Sequence, residues 1–167
     1  SDAGQAIEHL LALNFSFAAL EEPLGVGDYV GMARIAHACS CPIIVDESVL
    51  ALTELDKLCP PTKWIVNLRI SKMGGLLRSL RMCDEIRQRG VSIVIGAHVG
   101  QSGVMTRAAL TIAHVSGDIL VAQEGAFGTH LLTHDVLEPP LMFGAGGILD
   151  INTAPIGESG FGLAVRR

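Results

Sequence analysis

Two short apolar runs, each stopping at a pair of carboxylates, constrain this chain more than any other feature. They are Phe17-Ala-Ala-Leu-Glu21-Glu22-Pro23 and Pro42-Ile-Ile-Val-Asp46-Glu47-Ser48. A brief apolar run ending in acids is the pattern of a buried parallel strand whose carboxyl end carries polar chemistry. Two such strands in succession bring Glu21 and Asp46 to one rim of a sheet. Carboxylates that close repel one another and resist ionising unless a cation lies between them. Oxygen ligands suit a hard divalent ion, magnesium first. The competing reading is that acids after strands cap the helices that follow.

The rest of the chain keeps the same rhythm. Asp2 is placed to cap a helix with Ala6, Ile7, Leu10 and Leu11 on its apolar face, and Asp28 a second with Met32, Ile35, Ala36 and Cys39. Ser48 is expected to start a short helix carrying Leu52, Leu55 and Leu58, stopped by Pro60-Pro61. Residues 63–70 read as a third strand with Trp64, Val66, Leu68 and Ile70 on one face and Asn67, Arg69 and Ser71 on the other. Helices over 76–89 and about 103–115 alternate with strands over 91–95 and 118–122, the last ending at Gln123-Glu124. Strand–helix alternation at this interval predicts an α/β domain with a parallel sheet.

Two architectures fit: an open doubly wound sheet, or a partial (β/α)8 TIM-type barrel of about five parallel βα units. Glu21, Asp46, Arg69, His98 and Glu124 put a polar residue at each of five successive strand ends. That distribution favours a barrel rim, because an open sheet concentrates its ligand contacts at one switch point. We divide the chain into a partial barrel over residues 1–124 and a Gly-rich closing segment over 125–167, packed on the same domain and expected to hold loops and short strands.

Composition excludes several function classes. A net charge of −5 offers no basic stripe for nucleic acid. No apolar run reaches membrane-spanning length, and no signal peptide is present. Cys39, Cys41, Cys59 and Cys83 lack zinc-finger spacing and read as reduced, mostly buried thiols of a cytoplasmic protein. Charged residues make up only 17 % of the chain, as expected of a sheet covered on both faces or a surface covered by a partner. The chain starts at Ser1, which we read as processing or truncation.

The strand ends together resemble the enolase superfamily, specifically the C-terminal barrel of the mandelate racemase/muconate lactonizing enzyme group. The matching pieces are Leu20-Glu21-Glu22-Pro23, Val45-Asp46-Glu47-Ser48, Asn67-Leu-Arg69-Ile-Ser-Lys72-Met-Gly74-Gly75, Gln123-Glu124 and the closing Gly157-Glu-Ser-Gly160-Phe-Gly162-Leu. The resemblance implies a magnesium ion held by three carboxylates on successive strands. That ion binds a substrate carboxylate and stabilises the enediolate left when the α-proton is removed, with a Lys or His as base. Glu21 and Asp46 match two of the metal ligands, and Glu47 is a carboxylate beside them.

Departures from the family pattern matter as much. Its first metal-binding Asp and its Lys-x-Lys motif, its capping domain and its first three strands fall outside these residues, so the magnesium site is incomplete in this chain. Arg69 stands where the family places a Lys base or an Asp paired with a His. Neutral arginine at pH 7 costs about 7 kcal/mol, so an arginine there suits substrate-carboxylate binding and not proton abstraction. Lys72 is a further candidate, its strand parity away from Arg69 favouring a supporting role. His98 matches the racemase-branch His without its Asp partner; a hydrogen-bonded structural His is the alternative.

Glu124 suits a rim carboxylate able to contact substrate or pair with His98, or else a solvated loop acid. Asn67 and Gln101 are assigned to substrate contact, Gln101 replacing a Glu of the muconate-type branch. His130 and His134 stand four apart but lack a third zinc ligand. The Gly74-Gly75 pair serves close packing more readily than phosphate binding. Three functions follow as expectations. The first is the C-terminal part of a magnesium-dependent isomerase, cycloisomerase or dehydratase acting on a small carboxylate. The second is a catalytically silent barrel fragment that associates as a homo-oligomer or pairs with an N-terminal half. The third is an open α/β domain binding a small anion.

Overall fold

A computed structural model describes residues 2–150 and 160–166. Among them, five parallel strands form one sheet in the order β1-β2-β3-β4-β5. They are β1 (Leu20–Glu21), β2 (Ile43–Val45), β3 (Trp64–Leu68), β4 (Ser92–Ile95) and β5 (Leu120–Gln123). The helices are α1 (Ala3–Ala12), α2 (Tyr29–Cys39), α3 (Ile70–Met73), α4 (Leu76–Gln88), α5 (Gly103–Val115) and α6 (Gly128–Leu131). None is long and apolar enough to cross a membrane.

Contacts gather into two units. One is residues 1–68 with 81–94; the other is 69–80 with 95–167.

In the first unit, register explains which side chains face where. Leu20 pairs with Ile43 and Glu21 with Ile44; Ile43, Ile44 and Val45 pair with Trp64, Ile65 and Val66. Because side chains alternate along a strand, Ile43, Val45, Trp64, Val66 and Leu68 share one face, and all are buried. They form the core with Met32 and Ile35 of α2 and with Cys83 and Ile86 of α4. Asp2 and Asp28 cap α1 and α2 as expected, accepting the N–H groups of Gly4 and Gly31.

The first strand is shorter than expected, since only Leu20 and Glu21 find partners on β2. The segment after β2 also differs. Ser48 does not start a helix, because its hydroxyl is taken by Glu22 at 2.5 Å and accepts the Gly27 N–H at 2.8 Å. Two 3-10 stretches, Leu52–Lys57 and Pro61–Lys63, form instead, with Glu54 of the first reaching back to the N–H groups of Leu50 and Ala51.

In the second unit, α3 winds from Ile70, which corrects the expected end of the third strand. Met73 N–H donates to the Arg69 carbonyl and Gly75 N–H to that of Ile70, and Gly74 closes the turn at φ +83°. Ser71 and Lys72 therefore lie on a helical turn, where strand parity no longer governs their direction.

Helix α5 covers the expected residues. Its buried residues include Ala108 and Ile112, and Leu137 and Leu141 form a small core cluster with Val104 and Leu110 against it. Where short strands were expected in the closing segment, the described residues show α6, a 3-10 turn over Ala145–Gly147 and one bridge, Leu137 to Val165. Residues 157–159 of the matched Gly-rich hairpin lie outside the described residues.

Candidate functional site

Glu21 and Ile44 sit side by side in the register, and alternation carries that face to Asp46, the first residue past β2, and to Ile65 and Asn67 on β3. One strand spacing across and two residues along separates the Glu21 and Asp46 Cα atoms by about 8 Å. Asn67, fully buried, donates from Nδ2 to Glu21 Oε1 at 3.0 Å, which fixes where that carboxylate stands. Glu21 and Glu47 are exposed, whereas Asp46 is only 2 % exposed.

The donor chemistry fits magnesium. Glu21 and Asp46 supply hard oxygens, and magnesium is commonly held by one or two carboxylates with water in its other positions. The Oδ1 atom of Asn67 is buried and has no hydrogen-bond partner among the described residues. An acceptor left so costs about 1–3 kcal/mol, which a cation or its water can recover. Among the described residues, no three of His, Cys, Asp and Glu gather as a metal site. Glu21 and Asp46 thus offer part of a shell.

Glu22 is the functional neighbour that sequence reasoning missed. Its backbone turns through φ +32°, in the left-handed region, and its carboxylate folds back over the loop after β2. There it accepts the Asp46 N–H at 2.5 Å, the Ser48 N–H at 3.3 Å and the Ser48 hydroxyl at 2.5 Å. Of the two adjacent acids, one faces the candidate metal position and the other holds the loop bearing Asp46. Strand alternation could not have found it, because β1 ends at Glu21 and the left-handed backbone of Glu22 lies beyond the strand.

Ser48 also ties this loop to Tyr29, whose hydroxyl donates to the Ser48 carbonyl. Burial, and then the negative charges of Glu54 and Glu22, push the Tyr29 phenol above its usual value of 10.0. A group whose pKa is higher folded than unfolded contributes stability that is full below the unfolded value and lost as pH rises through the folded one. Tyr29 is the only tyrosine. Its absorbance titration is expected to have a higher midpoint in the native chain than in urea; equal midpoints would show that the phenol is not buried.

In the second unit, Arg69 is extended (φ −103°, ψ 114°) and half-buried immediately before α3, and Lys72 lies in that helix. Glu124 donates its N–H to the Ile95 carbonyl, and its Oε2 accepts the Ala97 N–H at 3.1 Å. The exposed His98 follows Ala97, and its carbonyl accepts the Gln101 N–H. Gly100 N–H donates to Ala126, lacing the 97–101 loop to the segment after β5. Glu124 and His98 thus stand on neighbouring loops, but no hydrogen bond joins them among the described residues. His130 ends up in α6 and His134 beyond it, so the two do not share a helical face.

A protein-family model described as enolase C-terminal domain-like matches residues 1–167. The L-Ala-D/L-amino acid epimerase of a Maribacter species is 28 % identical over 136 residues, covering 78 % of this chain and 40 % of its own length. The chain spans about two-fifths of the curated relatives it matches. A mandelate racemase/muconate lactonizing enzyme from a Roseiflexus species superposes with TM-score 0.79 at 20 % identity, over 99 % of this chain and 46 % of its own. A Cytophaga hutchinsonii dipeptide epimerase, complexed with Mg and the dipeptide D-Ala-L-Val, does so with TM-score 0.75 at 22 % identity, over 90 % of this chain and 40 % of its own. The fold is accordingly the partial (β/α) barrel anticipated from the strand ends.

Proposed function

The chain belongs to the enolase C-terminal domain-like family, and from that premise we propose that it is the metal-binding part of a cytoplasmic, magnesium-dependent enzyme. The reaction is removal of the α-proton of a small carboxylate, leading to isomerisation, cycloisomerisation or dehydration. The observation that carries this reading is the placement of Glu21 and Asp46 on one face of β1 and the segment after β2, with Asn67 holding Glu21. The names of the relatives, epimerases and racemases acting on amino-acid derivatives, and four free cysteines, as in a reducing compartment, support it.

Glu21 and Asp46 are the residues that would hold the ion, with Glu47 adding negative charge nearby. When bound, magnesium supplies several kcal/mol of stabilisation to the negative charge that develops on the substrate carboxylate. Each remaining role belongs to this chain's own side chains. Arg69 is assigned to binding a carboxylate through its planar fork. His98 and Lys72 are the matched residues able to take a proton from the α-carbon, whose electron pair then delocalises into the carboxylate. Glu124 and Gln101 provide polar contacts to substrate, while Asn67, expected from the sequence to do so too, is fully buried and instead positions Glu21.

We assign turnover to a longer polypeptide and association to the 167 residues alone. Support for the second comes from the sheet, whose end strands β1 and β5 each have one neighbour among the described strands. The deciding experiment follows deuterium from D2O into the α-position of an N-acylated amino acid or a dipeptide by NMR. Incorporation is expected with the longer protein and magnesium, to vanish with EDTA, and to be absent with the 167-residue chain, which should sediment above monomer mass. Exchange that survives EDTA would remove the metal from the mechanism.

A further inference from the structure

In the first unit, a groove of about 640 Å³ runs along α2 on the face of the sheet opposite Glu21 and Asn67. One wall is Val30, Ala33, Arg34, His37 and Ala38, which recur at helical spacing. Facing them are Lys57, Cys59 and Trp64, with Ile7 of α1 between. The segment between β2 and β3, which supplies Lys57 and Cys59, winds as two 3-10 stretches, Leu52–Lys57 and Pro61–Lys63.

Three features say what it takes. Its interior is apolar, and 640 Å³ falls within the usual range for a small-molecule pocket. Its charged lining is of one sign, Arg34 and Lys57, with no carboxylate among the lining residues. Finally, Trp64 is 2 % exposed, yet its Nε1–H is buried with no acceptor among the described residues. Buried indole N–H groups ordinarily have a partner. The Tyr29 ring flanks both donors, its centroid 6.2 Å from that of Trp64 and 5.1 Å from Lys57 Nζ. Asp56, next to Lys57, is held by Arg89 at 2.9 Å.

We propose that this groove binds an amphipathic carboxylate, such as a medium-chain fatty acid. Its hydrocarbon lies against Ile7, Val30 and Ala33, and its carboxylate accepts the Trp64 N–H beside the Lys57 ammonium. A hydrophobic body with one anionic end satisfies the orphaned donor and the uncompensated cations together. An inorganic anion would leave the apolar wall wet.

Trp64 is the only tryptophan, so its emission reports the site directly. Decanoate titrated into the chain should change that emission saturably, with matching heat by calorimetry, and decanol should bind about tenfold more weakly or worse. Lys57→Met should cost decanoate about tenfold while leaving decanol unchanged. Ala33→Phe, which fills the groove without altering charge, should abolish both. Circular dichroism checks that each variant is folded. No saturable change with decanoate, equal affinity for decanol, or binding that survives both variants would overturn the proposal.

Discussion

Replacing Asp46 with Asn in the longer protein is expected to lower magnesium affinity about a hundredfold or more and to abolish turnover with it. A carboxamide keeps the shape of the side chain but removes its charge, and a hard divalent ion binds chiefly through charge. A hundredfold corresponds to about 2.7 kcal/mol, modest for one of three anionic ligands at close range. The substitution should spare the fold, because the group that ties this position to Glu22 is the Asp46 backbone N–H, which Asn retains. Isothermal calorimetry with MgCl2 reads the affinity, and thermal denaturation in EDTA checks that the fold is kept. Unchanged magnesium affinity would strike Asp46 from the ligand set.

The face that carries this chemistry was legible in the sequence because it is written by the strand period. Apolar runs ending in acids located β1 and β2, and Trp64, Val66 and Leu68 identified the wholly apolar face of β3, a strand buried on both faces. What could not be read was the use of each polar side chain once strands stop. Ser48 looks like a helix start until Glu22 claims its hydroxyl, and Glu22 can do so only because its backbone enters the left-handed region, which favours no Glu on sequence grounds. Similarly, Lys72 was judged by strand parity, yet Gly74 closes a helical turn that starts at Ile70. Long-range partners decide both cases. Asn67 reaches Glu21 across 46 residues of sequence, and no local pattern records such a bond.

The closing segment holds another structural contact of this kind, and it sets the second large expectation. Asp135 is buried, and its carboxylate accepts the N–H groups of Gly103, Val136 and Leu141. Gly103 is the first residue of α5, so a negative charge sits at the positive end of that helix while pinning residues 135–141 to it. Asp135→Ala leaves buried N–H donors without acceptors, a loss of about 3–5 kcal/mol, since bonds to charged groups contribute about 1.5–3 kcal/mol each and do not add fully. For a chain of this length that lowers the melting temperature by roughly 10 °C.

Gly103 supplies an independent check. A Cβ there would stand 2.3 Å from Asp135 Oδ2, 2.7 Å from Leu137 Cδ1 and 3.1 Å from the Leu141 nitrogen. Gly103→Ala should therefore cost about 1–3 kcal/mol by overpacking. Its nearest clash is with the very carboxylate that Asp135→Ala removes. The double variant should consequently lose less than the two single losses combined, by about 0.5 kcal/mol or more in urea denaturation. Strict additivity would mean that α5 and the 135–141 segment do not meet through this pair.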